Sequence, residues 1–508
     1  MTPGFAGPYA AGPPAGALDV TRPPLARFGP AELARIVVVC AVLASCLLTA
    51  GLRWLLDLAR RWRRDRLPRS PGRTWPEAQT WPGAQTSPEG QTSPGAQTWP
   101  GGQTWPEALA DGAVTAFGRL GPTFVKLGQL IASSPGMWPE ALSTSALRCL
   151  DDMPPFPAAE ARRLVATALG RPVSELFAEF DDVPLSAASI AQVHACVLPD
   201  GRAAVLKVRR PGIHRRMVTD LRIMYRLAQL LDGRVELVRL VSLVGIVEQL
   251  HEVTCKELNF ALEASNQERF AASVGAFGDN TGVTVPEVYW PWCGPGVICM
   301  RRLYGCPLDN PEELAARGLD GELPLRRGVK AWLEAAILHG PFHGDAHAGN
   351  LWITDDGRLA YLDFGIMGEL APSWRELLRD MLYTMMFDRD FERVARGLRR
   401  CGVLDSSGGT DAQLGWALGA VFGPLLDAPI ARLNSRGITE MLVATARQHS
   451  GSAPPELTLF TKQLLYFERY SAALAPDWVL GTDPFVLRNI FPAEATARAA
   501  ALGLELPD

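Results

Sequence analysis

No two of the nine cysteines form a CxxC pair, and their number is odd. The closest group, Cys293, Cys299 and Cys306, is spaced by six and seven residues. Structural zinc sites need tighter pairs, so zinc is not expected, and scattered reduced thiols of a cytosolic domain are. The chain also lacks an excess of either charge. Fifty Lys and Arg face 54 Asp and Glu, a net charge of -4, which gives no basis for a nucleic-acid partner. Charged residues make up 20%, slightly below the usual share. Apolar residues make up 47% of 508 residues, enough for two or three domains and a large core.

Residues 1–35 are rich in Ala, Gly and Pro and read as a disordered tail. Ile36 to Leu52 is a run of 17 residues without a charge, at the lower limit for a spanning helix. Arg60, Arg61, Arg63, Arg64 and Arg66 crowd one flank, which would place the C-terminal side in the cytoplasm. A single-pass anchor over 36–56 is therefore expected; a cleaved leader would begin with its basic segment, not follow it. Residues 57–109 hold the basic flank and six units of period six, from TWPEAQ to TWPEAL. Proline in every unit breaks helix and strand alike, so this is read as a semi-extended spacer.

The composition turns globular from about Asp111. Val114–Leu130 and Ala158–Leu169 have helical apolar spacing. Ala187–Arg209 reads as two strands around a Pro199-Asp200-Gly201 turn. Val218–Phe270 reads as helices, Val283–Leu303 as strands, and the chain after Gly328 as mainly helical, with a hairpin near Thr354–Gly357. Trp416–Leu426 is apolar but too short to span a membrane and is assigned to the core.

Chemistry concentrates in HGDAHAGN, His343 to Asn350, where an Asp precedes an Asn by five positions. Thirteen residues later, after a strand-turn-strand stretch, comes Asp363 in LDFG. This is the order of a kinase catalytic loop followed by a hairpin that delivers a second Asp. Asp345 can accept a proton or position a nucleophile, while Asn350 and Asp363 offer hard oxygens to magnesium. Lys207, in the strand VLKV, needs a carboxylate to hold it towards a phosphate, and Glu263 is the candidate. A kinase places a glycine-rich loop upstream. Here Leu185, Ser186, Ala187, Ala188, Ser189, Ile190, Ala191, Gln192 and Val193 occupy that position with no glycine. Small side chains still permit close approach, but alanine restricts the backbone.

Taken together, these residues resemble the UbiB family of atypical kinases, the aarF-domain-containing group. The KxGQ signature stands here as Lys126-Leu127-Gly128-Gln129, and the alanine-rich loop as Ser186–Ser189. The resemblance runs from about Ala110 to at least Arg400. It implies an α+β, protein-kinase-like bilobal fold: a helical extension over 110–180, an N-lobe over 181–305, and a C-lobe with C-terminal helices over 306–508. It implies ATP and Mg2+ as ligands. It also implies that Lys126 pairs with Glu257, the glutamate of an ExD motif, so that Lys126, Gln129 and Glu257 regulate the site. Such an extension is thought to exclude protein substrates and favour small molecules or ATP hydrolysis. The family is linked to isoprenoid quinone biosynthesis and membrane lipids, and homodimerisation is left open. Two departures stand out: ExD reads Glu257-Leu258-Asn259, and the usual HPGN reads HAGN with Ala348. A small-molecule phosphotransferase of the aminoglycoside and choline kinase kind shares the HGD loop but lacks KxGQ. A non-catalytic nucleotide-binding scaffold is disfavoured by the intact Lys207, Asp345, Asn350 and Asp363.

Overall fold

In a computed structural model of the chain, described for residues 5–66, 104–132, 138–149, 154–232, 243–403, 409–423, 455–480 and 483–506, helices lead into a four-stranded sheet. The proline repeats fall almost wholly outside those residues, so their reading as a spacer is not addressed. The leading helices are α1 (Pro30–Arg66), α2 (Trp105–Leu120), α3 (Pro122–Ala132), α4 (Glu140–Ala146), α5 (Ala158–Leu169) and α6 (Val173–Leu176). Thr104 and Glu107 form a capping box at the start of α2, and Gly170, at φ 77°, ends α5 in the left-handed conformation.

The sheet consists of β1 (Glu179–Ala187), β2 (Ala191–Val197), β3 (Ala203–Arg209) and, beyond the two-residue β4 (Val283–Thr284), β5 (Val297–Arg301). Its order is β1-β2-β3-β5, antiparallel throughout. Between β3 and β4 come α7 (Ile213–Asp232), α8 (Leu243–Glu257) and α9 (Phe260–Gly275). Leu206, Val208 and Ile298 of the sheet cluster with Phe260 and Leu176 as the upper core.

The lower lobe begins with β6 (Gly305–Pro307), α10 (Pro311–Ala316) and α11 (Glu322–Glu334), which continues as a π-turn to His339. Then β7 (Pro341–His343), β8 (Leu351–Thr354), β9 (Leu359–Tyr361) and β10 (Met367–Glu369) frame two loops. β7 pairs with β10 and β8 with β9, so the two loops lie side by side. Among the described residues five helices follow: α12 (Pro372–Tyr383), α13 (Phe391–Arg400), α14 (Asp411–Phe422), α15 (Pro455–Leu474) and α16 (Pro492–Leu502). Trp332 anchors the lower core, stacked on Phe460 at 4.6 Å and edge-on to Phe467 at 5.2 Å.

Two expectations are corrected. The tail is ordered over residues 5–29: Tyr9 and Leu25 are buried, Gly7 N donates to Pro291 O at 3.1 Å, and Arg22 pairs with Glu252 at 2.8 Å. Composition alone hides this, because Phe5 and Tyr9 pack on rings the N-lobe supplies, Trp292 at 6.2 Å and Trp290 at 6.4 Å. In α14, Trp416 is 79% exposed rather than core. That helix packs through its glycines: a Cβ on Gly415 would meet Glu392 N at 2.7 Å, and one on Gly419 would meet Phe391 at 3.1 Å. The small residues therefore face inward and turn the indole out.

The apolar run lies inside a longer helix, and Pro30–Arg60 is long and apolar enough to cross a membrane. One face of this helix is engaged. Trp54 meets Trp105 edge-on at 5.0 Å, and Arg35 donates to Leu120 O at 2.7 Å, so α2 runs antiparallel to α1. Arg35 also pairs with Asp220 on α7 at 2.7 Å. The other face leaves Val37, Leu48, Leu52 and Leu55 exposed.

Candidate active site

Lys207 lies in β3, opposite Val193 on one side and Ile298 on the other, so the pleat fixes its direction. Its ammonium donates to Glu263 Oε1 at 2.5 Å and to Asp363 Oδ2 at 3.0 Å. Burial alone would lower the Lys207 pKa, but the two carboxylates more than offset this and raise it. Burial also pushes Glu263 up to about 7, against the pull of Lys207 and with repulsion from Asp363 adding to the rise. The other Glu263 oxygen, Oε2, is buried without a hydrogen bond. Asp363, despite its own desolvation, is drawn down to about 2 by Lys207.

Glu263 sits in the first turn of α9, and Asn259 caps that helix by accepting from Leu262 N at 3.1 Å. The Asn259 amide donates to Ala17 O at 3.0 Å and Asp19 O at 3.3 Å. Aspartate could cap the helix equally well but could not donate. The departure from ExD thus matches the ordered N-terminal segment packed against it.

The catalytic-loop residues converge through a buried histidine. His343 Nε2 lies 2.9 Å from both Leu362 O and Asp363 O, and Nδ1 accepts from Asp345 N at 3.2 Å. Burial lowers its pKa, which keeps the ring neutral with its proton on Nε2. Asn350 Nδ2 donates to Asp345 O at 3.0 Å and closes the loop on itself. Asp363 has φ 54°, sparsely populated for a non-glycine residue; Gly365 N supports it by donating to Oδ1 at 3.1 Å.

The alanine-rich segment is a hairpin. Ser186 pairs with Val193 and Ala187 with Gln192, and Ala188 N donates to Ala191 O at 2.9 Å. Arg210 pins its tip by donating to Ala188 O at 2.9 Å. Gln192 is fully buried and bonds both the N–H and the carbonyl of Phe156, at 3.0 and 3.3 Å. Leu185 is exposed, whereas Ser189, Ile190 and Ala191 are buried.

The extension reaches this site as well. Lys126 on α3 forms an ion pair with Glu257 at the end of α8, and both side chains are nearly buried. Glu257 Cγ lies 3.9 Å from where a Cβ on Gly365 would stand, so the pair borders the Asp363 turn. Gln129 donates to Cys149 O at 3.4 Å, within the extension.

The donor set suits magnesium. Asn350 and Asp363 supply hard oxygens on adjacent loops, as that ion requires. Among the described residues no cluster of three His, Cys, Asp or Glu could hold a metal unaided. Sequence reading gave no role to His343 or to Lys462. Lys462 Nζ donates to Asp345 Oδ1 at 3.1 Å from a helix 117 residues away. The HGD pattern could have signalled the first; nothing local signals the second.

The sequence profile of the ABC1 atypical kinase-like domain matches residues 148–398. An uncharacterized protein of Mycobacterium tuberculosis is 36% identical over 72% of this chain and 75% of its own length. The probable protein kinase UbiB of Azotobacter vinelandii is 32% identical over 73% of this chain and 69% of its own. An uncharacterized aarF domain-containing protein kinase of Arabidopsis thaliana, chloroplastic, is 32% identical over 71% of each. The solved structure of the Rv3197–erythromycin complex from Mycobacterium tuberculosis aligns with a TM-score of 0.44 at 22% identity, over 64% of this chain and 85% of that one.

Proposed function

Since this chain belongs to the ABC1 family of atypical kinase-like proteins, with UbiB and aarF-domain kinases as relatives, we propose that it is an ATP- and magnesium-dependent phosphotransferase or ATPase. The supporting observation is that Lys207 on β3, Glu263 on α9 and Asp363 beyond β9 meet within hydrogen-bond reach. In phosphoryl transfer most of the catalysis is positioning and charge neutralisation. Lys207, held by Glu263, neutralises phosphate charge, and Asp345 accepts or orients the acceptor's proton. Magnesium, held by Asn350 and Asp363, would neutralise charge on the phosphates.

Nucleotide at about 100 times its Kd stabilises a protein by roughly 2.7 kcal/mol. Lys207→Ala and Asp363→Ala should each remove most of the Mg-ATP-induced rise in melting temperature, measured against each variant's own apo form. Unchanged rises in both would overturn the site.

The Lys126–Glu257 pair supports an autoinhibitory reading, in which the extension held beside the Asp363 turn excludes protein substrates. The acceptor is then water or a small membrane-borne molecule, an isoprenoid quinone precursor or a lipid, and a homodimer is compatible with this role. We assign α1 as the membrane anchor, with the catalytic body cytoplasmic; its exposed aliphatic face and following arginines support this. A second mode, in which α1 lies flat in the interface, is favoured by its contacts with α2 and by residues 5–29 on the N-lobe, which a crossing would separate. Reporters after Arg66 and at the C-terminus should both read cytoplasmic. A reporter at residue 1 reads outside for a crossing and inside for a flat helix. An external signal at Arg66 or the C-terminus would end the anchor assignment as stated.

A further inference from the structure

The catalytic loop is braced by α15, a helix that lies beyond the matched family region. Phe460 and Phe467 on one side of this helix pack on Trp332. Its other side lies against the loop. Gln463, fully buried, donates to Gly344 O at 2.6 Å and accepts from Ala346 N at 2.8 Å. Tyr470 donates to Ala346 O at 3.1 Å. The approach is close enough that a Cβ on Gly344 would meet Leu459 at 2.6 Å. From this face Lys462 reaches Asp345 Oδ1 at 3.1 Å, while His347 Nε2 stands 3.5 Å from Oδ2.

We propose that Lys462 is a positioning residue for phosphoryl transfer: its ammonium fixes the Asp345 carboxylate by Oδ1, so that Oδ2, beside His347, is held in place for the acceptor proton. The inference rests on the reading of Asp345 as the base of a phosphotransferase or ATPase. Three features separate this arrangement from a chance surface pair. The ammonium is partly enclosed, with the Tyr466 ring centroid at 5.6 Å. The helix that carries it is clamped on both sides, so the Lys462 backbone is fixed relative to Asp345. Burial acts to lower the Lys462 pKa, but Asp345 and then Tyr466 offset it, so the group stays cationic at neutral pH. An unanchored carboxylate would sample other rotamers, and misplacement of about 1 Å can cost on the order of 100-fold in rate.

The test compares the intact chain in detergent with Lys462→Met, Lys462→Arg, Asp345→Asn and the Met/Asn double variant. Methionine keeps the apolar stem and the helix propensity while deleting the charge. Lys462→Met should lower kcat for ATP turnover by about 10- to 100-fold, with KM for ATP and melting temperature nearly unchanged. Lys462→Arg should recover much of the loss, and the double variant should be no slower than Asp345→Asn alone. Unchanged kcat in Lys462→Met would overturn the proposal, as would a fall shared equally by Met and Arg together with a lowered melting temperature. Should Met fail to fold, Arg decides alone: near wild-type kcat supports the proposal, and a kcat as low as that of Asp345→Asn overturns it. Undiminished turnover in Asp345→Asn would instead overturn the phosphotransferase reading beneath it.

Discussion

Replacing Asp345 with Asn should lower ATP turnover by roughly 100- to 10,000-fold, the usual contribution of a positioned general base, while leaving Mg-nucleotide affinity within a few-fold. Asparagine preserves the shape of the side chain and can still accept from Lys462, but it cannot take a proton. The nucleotide contacts assigned to Lys207, Asn350 and Asp363 are untouched, because Asp345 meets the loop through its backbone: its N–H donates to His343 and its carbonyl accepts from Asn350. Titration of nucleotide by calorimetry and single-turnover hydrolysis separate the two effects. Wild-type turnover in this variant would reduce Asp345 to a structural residue; lost binding would show that its carboxylate belongs to the nucleotide site.

The second large effect concerns stability, far from the nucleotide. Lys330 and Glu334, one turn apart on α11, are both fully buried and paired at 2.9 Å. Lys330 also donates to Asp279 at 3.1 Å and to Asn280 at 2.8 Å. Asn489, near the C-terminus, donates to Asp279 at 3.0 Å and to Glu334 at 2.9 Å. The knot thus ties the end of the α9 connection, α11 and the C-terminal segment together. Burial raises the Glu334 pKa despite its partners. Lys330→Met should cost about 3–5 kcal/mol, because it strands the fully buried Glu334 carboxylate without its cation, while Asp279 keeps Arg488 at 3.5 Å. A loss below about 1 kcal/mol in denaturant unfolding would contradict that account. Adding Glu334→Leu should restore part of the loss, since a buried pair replaced by apolar groups is often neutral.

The two predictions differ in how far the sequence foretold them. Asp345, Asn350 and Asp363 could be read because a short loop and a hairpin fix their relation: five positions, then a strand, a turn and a strand. Lys207 was legible because strand pattern and turn chemistry are local. Glu263 was reached from the carboxylate that Lys207 requires, whereas Glu257 needed a resemblance, since helix spacing alone does not say which face meets the sheet. The buried knot gave no such signal. Lys330 and Glu334 look like any exposed i, i+4 pair, and only the packing of α11 beneath the C-terminal segment makes them costly.

The errors have the same origin. Residues 5–29 are rich in Ala, Gly and Pro, yet Phe5 and Tyr9 pack on Trp292 and Trp290 of the N-lobe, and Leu25 is buried in the cluster of Val39, Leu120 and Leu221. Trp416 looks like core by composition, yet the glycines beside it seek the close contact and expose it.

By itself the sequence determined the spacing of the candidate catalytic loop and the helix able to enter a membrane, because each rests on neighbours within a few turns or a hairpin; the bilobal kinase-like class came through the resemblance those motifs carry. Tertiary structure alone decided that Lys462 meets Asp345, that Asn259 holds the N-terminal segment, and that α1 lies along α2. Those contacts join residues roughly 50 to 240 positions apart, and at such separations periodicity and propensity carry no information about which surfaces the folded core brings together.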